Sequence, residues 1–270
     1  MSGIGSFVRI VGAFARKDFR VLRSYRVGFI TGILATVYGL VSFRFVSHLV
    51  GDTKYFGSSS EYFRFVVIGV IVSGVMRASM VSTAVSARRD QVEGTLEILA
   101  TQPISLMALG VGWAIVPIIE ELLAGLITIA IAVPLGFNHI TPNWPATVLV
   151  LILTAIMFIA IGFAAAALVL AIQQGTAAAG AAGAVMSLIS GALFPISVLP
   201  GWLRIVADAS PLTYALRAAR TAIEHGGDTS RLIGQMLTLV AISAVLLPVG
   251  LLTMRLAFDY ARTRGTLARF

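Results

Sequence analysis

Apolar residues collect in six long blocks along this chain, at 27–50, 62–87, 104–135, 144–172, 176–194 and 232–258. Each approaches or exceeds the roughly 20 residues that a helix needs to cross a bilayer. The pattern predicts an all-α membrane protein with six transmembrane helices in one domain over 27–258, the third block being long enough to tilt or to begin outside the hydrocarbon. Ahead of the first block, Ile4, Phe7, Val8, Val11, Phe14 and Ala15 return every three or four positions, while Arg9, Arg16, Arg20 and Arg23 gather on another face. This is the pattern of an amphipathic helix over 1–26 lying in the headgroup plane. A basic tail that only enforces topology is the alternative.

Composition agrees with the pattern. Of 270 residues, 58% are hydrophobic and 12% charged, against about 45–50% and about 25% in soluble domains. The net charge of +8 does not point to nucleic acid, because the basic residues sit at the ends of apolar blocks, as membrane anchors do. Arg9, Arg16, Lys17, Arg20, Arg23 and Arg26 precede the first block, Arg88 and Arg89 follow the second, and Arg262, Arg264 and Arg269 follow the last. That bias puts both termini, including the 259–270 tail, and the 88–103 segment in the cytoplasm of a plasma (inner) membrane protein. No signal-peptide pattern precedes the first block, so the N-terminus is expected to be retained. The chain has no cysteine, which excludes disulfides and thiolate metal sites.

One segment defies the charge bias. Arg204, Arg217, Arg220 and Arg231 fall on the expected outer side, between the fifth and sixth blocks. Pro195, Pro200 and Pro211 divide this stretch, Ser210-Pro211 suits an N-cap and first helical position, and Trp202 and Tyr214 are interfacial aromatics. Two short helices over 195–222 that dip back toward the membrane account for all of this, since irregular backbone at that depth must be covered by protein or water. The fifth block and part of the fourth are rich in Ala, Gly and Ser. Such residues allow close helix packing in lipid, within the subunit or between subunits.

The segment 88–103 is charged and helix-prone between two apolar blocks. Val92, Leu96 and Leu99 fall on one helical face, while Asp90, Glu93 and Glu97 place carboxylates on neighbouring faces. An apolar stripe rimmed by acids suits docking into a soluble partner's basic and apolar groove; a helix resting on lipid headgroups is the plainer reading. Gly94 weakens the helix and permits a bend. No phosphate loop of the G-x-x-x-x-G-K-[ST] type occurs, so this chain holds no nucleotide by that means. His48, His139 and His225 stand singly, without a hydrolase or metal motif.

Glu93-Gly94-Thr95-Leu96-Glu97, followed by Leu99 and Pro103, resembles the cytoplasmic coupling helix of ABC type-2 permeases, the membrane subunits of ATP-driven exporters. The interfacial N-terminal helix, the six blocks and the proline-rich outer segment match the same family's plan. The resemblance implies a transport subunit that is not itself an enzyme and carries no cofactor. Two such subunits would form the path and two separate ABC ATPase subunits would bind ATP and Mg. It gives the coupling role to Glu93, Gly94, Thr95, Leu96 and Glu97, with Arg88 and Arg89 beside them, and the re-entrant outer role to Pro195, Pro200, Trp202, Pro211 and Tyr214.

Counting depth at about 1.5 Å per residue brings Arg44 level with Glu120 and Glu121, so that an intramembrane ion pair is expected there, outward snorkelling of Arg44 being the alternative. Arg77 finds no acid at its depth. Met76, Ser79, Ser187 and Ser190, on the second and fifth blocks, are expected along a path at a dimer interface. The apolar spans favour a hydrophobic or amphiphilic cargo such as a drug or a lipid. A polysaccharide or lipid-linked glycan exporter of the same family, a channel outside it, and a membrane-embedded enzyme remain alternatives.

Overall fold

The computed structural model describes residues 3–24, 26–50, 55–102, 104–138, 140–172 and 175–264. Pro103, His139 and Arg269 lie outside them, as do the side chains of Ile4, Arg20, Arg23, Arg26, Glu97, Arg262 and Arg264. The described elements are helical: α1 (Gly3–Ser24), α2 (Arg26–Val50), α3 (Ser59–Val92), α4 (Thr95–Thr101), α5 (Leu106–Ala132), α6 (Trp144–Ile172), α7 (Gly175–Ile189), a 3-10 turn (Ile196–Val198), α8 (Gly201–Ala209), α9 (Pro211–Glu224) and α10 (Thr229–Arg264).

Five helices are long and apolar enough to cross a membrane, through Thr31–Val50, Ser59–Val92, Leu106–Ala132, Trp144–Leu170 and Thr229–Tyr260. The fifth expected span corrects to the 15-residue α7, about 22 Å long and short of the roughly 30 Å hydrocarbon core. Its apolar composition runs on to Phe194, but the backbone turns at Gly191, where φ is 84°. The carbonyl of Ala192 then occupies the place a side chain on Gly69 would need, so this end of α7 stops well inside the N-terminal end of α3.

The centre of the bundle is α3 and α6. About two thirds of the apolar stretch of α3 is buried (67%) and half of that of α6 (50%), against 11% for α2 and 17% for α10. Glycines set the closest approaches: a Cβ on Gly162 of α6 would stand 2.9 Å from the Ser79 carbonyl of α3, and the Phe163 ring fills the space beside Gly110 of α5. Phe63, Met76, Met80, Phe158 and Phe163 are fully buried there.

Local signals fix the ends of the helices. Ser58 caps α3 by accepting from the Glu61 N–H at 3.3 Å, while the Glu61 carboxylate accepts from the Gly57 N–H at 3.0 Å. Ser105 and Asn143 accept in the same way from Ala108 and Ala146. The amphipathic α1 lies along α5, its Phe14 ring packed beside Gly112, so part of its apolar face meets protein. Val8 remains 62% exposed.

Two helices occupy the proline-divided segment. Pro211 opens α9 after Ser210, and Leu212, Ala215, Leu216, Ala219, Ala222 and Ile223 bury one face against α3, α6 and α10. Backbone bonds tie α9 to the start of α6: the Asn143 N–H donates to the Ala222 carbonyl (2.9 Å) and the Gly226 N–H to that of Thr141 (3.1 Å). The molecule thus has an α4 end, where α1 also lies, and an α9 end opposite it.

Candidate functional site

At the α4 end, α3 runs to Val92 and the chain turns at Gly94, whose φ of 71° is left-handed, before the seven-residue α4 begins. Residues 88–102 of the expected 88–103 segment thus contain two helices with a break between them. A single face traced across it does not survive: Leu96 is fully buried and Leu99 packs on the core, whereas Val92 is 46% exposed. The apolar stripe expected to meet a partner instead seats α4 on its own subunit. The outward surface is made by Val92, Glu93 and Ile98, the last 64% exposed.

Asp90 departs from its expected outward position. It is 1% exposed, and both carboxylate oxygens are engaged. Oδ1 lies 3.2 Å from Lys17 Nζ of α1, and Oδ2 accepts from Trp113 Nε1 of α5 at 2.7 Å. Its carbonyl accepts from Thr95 Oγ1 of α4 at 3.1 Å. Lys17 also stands 4.0 Å from Glu93 Oε2, and Arg88 Nη1 donates to the buried Gln91 Oε1 at 2.9 Å. Arg89 is half-buried beside them. Sequence reasoning missed Lys17 and Trp113, which lie 73 and 23 residues from Asp90.

Among the described residues, no ion pair joins Arg44 to Glu121, one of the two acids expected to pair with it. Arg44 Cζ lies 5.7 Å from the Phe63 ring centroid, and its guanidinium borders Gly136 at the far end of α5, the outward reach held open as the alternative. A depth count takes no account of this reach, because a long side chain displaces its charge from its own Cα. Glu121 instead abuts Gly74 of α3 and lies in the field of Arg77, so Arg77 does have an acid nearby.

Among the expected path residues, Met76, Ser79 and Ser190 are at most 1% exposed within the single chain. Ser79 Oγ donates to the Val75 carbonyl (2.7 Å), and Ser190 and Ser210 share a 2.6 Å hydroxyl bond. Ser187 is half-buried. The open face of α7 carries Ala181, Ala182, Ala184, Val185 and Leu188, while Gly175, Ala179 and Gly183 pack inward.

At the α9 end, three of the four anomalous arginines build structure. Arg204 Nη2 donates to the Ser197 carbonyl at 2.8 Å, and Arg217 pairs with Asp208 at 2.7 Å in an exposed bridge. Arg220 Nη2 donates to the Gly191 carbonyl (2.8 Å) and the Phe65 carbonyl (3.3 Å), its Cζ 3.5 Å from the Phe65 ring centroid. Burial lowers the Arg220 guanidinium to about 10, with Glu224 opposing the shift, so it is charged at neutral pH. Pro195 borders a cavity of about 220 Å³ with Arg217 and Arg220. Pro200 precedes α8, Trp202 is 69% exposed on it, and Tyr214 is half-buried on α9 under Arg217.

His48 and His225 are exposed, and no cluster of metal-binding side chains occurs among the described residues. No curated protein matches the chain. The family model described as ABC-2 type transporter matches residues 11–223, which takes in α3, α4, the Asp90 cluster and the α8–α9 segment. This multi-pass membrane protein therefore belongs to the ABC-2 type transporter family, a membrane component of transport.

Proposed function

We propose that the chain is the permease subunit of an ATP-driven exporter, with the α3–α4 junction docking a separate ABC ATPase. The observation that carries the reading is the ledge of Val92, Glu93 and Ile98, formed where a short helix breaks away from the end of α3 at Gly94. An isolated seven-residue helix is too short to hold itself in water; α4 is held by burying Leu96, while Ile98 stays exposed. Apolar residues beside a carboxylate match a soluble groove that offers apolar and basic groups. Glu97 and Thr95 border the same ledge in sequence.

In this reading two copies of the chain, as a homodimer or with a second permease, pair with two ATPase subunits that bind ATP and Mg, and the membrane halves move as rigid bodies when the ATPases close. The ledge, both termini and α1 face the cytoplasm, and α8 and α9 cap the outer end. The apolar spans favour an amphiphilic or hydrophobic cargo over a long glycan, in a plasma (inner) membrane.

Glu93→Lys and Ile98→Glu test the docking. Each should strip the ATPase during purification and abolish export while the permease still inserts. Full retention of the ATPase in both variants would overturn the reading.

A further inference from the structure

We infer that Asp90 is a positioning residue that binds α1, α3, α4 and α5 into one moving piece, so that force on the α3–α4 junction reaches the N-terminal helix; this rests on the docking reading above. Four elements converge on this residue. It belongs to the last turn of α3, its Oδ1 holds Lys17 of α1, its Oδ2 holds Trp113 of α5, and its carbonyl holds Thr95 of α4.

The energetics make this a firm junction. Asp90 and Trp113 are each 1% exposed, so water cannot replace a lost partner, and removing one member strands a buried charge or donor. Lys17 is 43% exposed and touches two carboxylates of unlike environment. The Glu93 contact, at 4.0 Å between half-exposed groups, is weakly held. The Asp90 contact, at 3.2 Å to a buried group, is the one that persists. A partner cation can therefore draw Glu93 away while Lys17 stays with Asp90, and α1 follows α3.

The absence of native cysteine permits the test. Spin labels at Ala13→Cys on α1 and Gln102→Cys at the end of α4, both exposed sites, report the separation of the two elements in the full complex. That distance should keep one narrow distribution with and without a trapped ATP analogue. Lys17→Met should broaden it and lower cargo moved per ATP hydrolysed by about tenfold, the size of coupling between contacting charged groups, with the ATPase still bound. Lys17→Arg should restore both readings. Asp90→Asn, which keeps an acceptor for Trp113, should act like Lys17→Met, and the double variant should be no worse than either.

An unchanged distance and unchanged stoichiometry in Lys17→Met would overturn the inference, as would a native distance that shifts between nucleotide states. Failure of the docking reading looks different: the ATPase would remain bound to Glu93→Lys and Ile98→Glu permeases, whatever the label distances.

Discussion

Gly94 is conformationally demanding and sterically free: its φ is 71°, yet a Cβ there would meet nothing within 4 Å. Gly94→Ala should therefore cost about 1–2 kcal/mol of backbone strain alone, and Gly94→Asn less, because Asn tolerates the left-handed region. Thermal unfolding of the purified subunit separates them; equal stability of the two variants would contradict the geometry. Arg44 supports a second expectation. A double-mutant cycle with Phe63 should return about 0.5–1 kcal/mol of cation–π coupling, and one with Glu121 should return none. Coupling to Glu121 would restore the ion pair expected from depth counting. At this scale the sequence was least legible. Asp90 sits among charged neighbours, where a carboxylate is ordinarily solvated, and its partners come from α1 and α5 with no local spacing to announce them. Gly94 was readable because a lone glycine in a polar helical stretch weakens it locally.

Long helices were readable in nearly their full extent, because a bilayer demands length and apolarity and little else. The expected 144–172 span and α6 coincide, and α2 begins one residue before the expected 27–50. The short elements show where periodicity fails. Val92 and Leu96 lie on different helices, so the four-residue spacing that joins them on paper has no single axis to act about. In α7, Ala and Gly composition continues past the turn at Gly191, and hydropathy cannot register a change of direction. The prolines, by contrast, marked the α8–α9 boundary correctly, since Pro211 can only open a helix there. The end of α9 gives a pH expectation. Burial raises the Glu224 carboxyl, Arg220, Arg64 and His225 pull it back, and Glu61 adds to the rise. The folded state thus binds a proton more readily than the unfolded chain. That stabilisation is complete below the ordinary carboxylate range and is lost as pH rises through the raised folded value. Unfolding temperature should fall across this window in the native subunit and stay flatter in Glu224→Gln; identical pH profiles would remove Glu224 as the cause.

Over the whole molecule, the exposed apolar surface is concentrated on the outer helices. Leu34, Tyr38, Phe45 and Leu49 of α2 are 61–84% exposed, and Leu237, Val245, Leu252 and Leu256 of α10 are 57–66% exposed. Water does not tolerate so extensive an apolar belt, whereas lipid does, and the central α3 and α6 are the helices shielded from it. The 34 residues of α3 extend about 51 Å, well beyond the roughly 30 Å core, so its two ends must emerge on opposite faces. Its C-terminal end carries Glu93, and its N-terminal end lies with α9, whose chain leads through Asp228 into α10. In the orientation proposed above, which follows the basic residues around α1 and at Arg88 and Arg89, the Glu93 face is the cytoplasmic one. A single cysteine at Ser230, exposed at the start of α10, should react with a membrane-impermeant thiol reagent in intact cells. One at Glu93, 48% exposed, should react only after permeabilisation, and without the ATPase bound. Reaction of both from one side would mean that α3 does not span. Reaction of Glu93→Cys alone from outside would keep the fold, reverse the orientation, and remove the junction from any cytoplasmic ATPase.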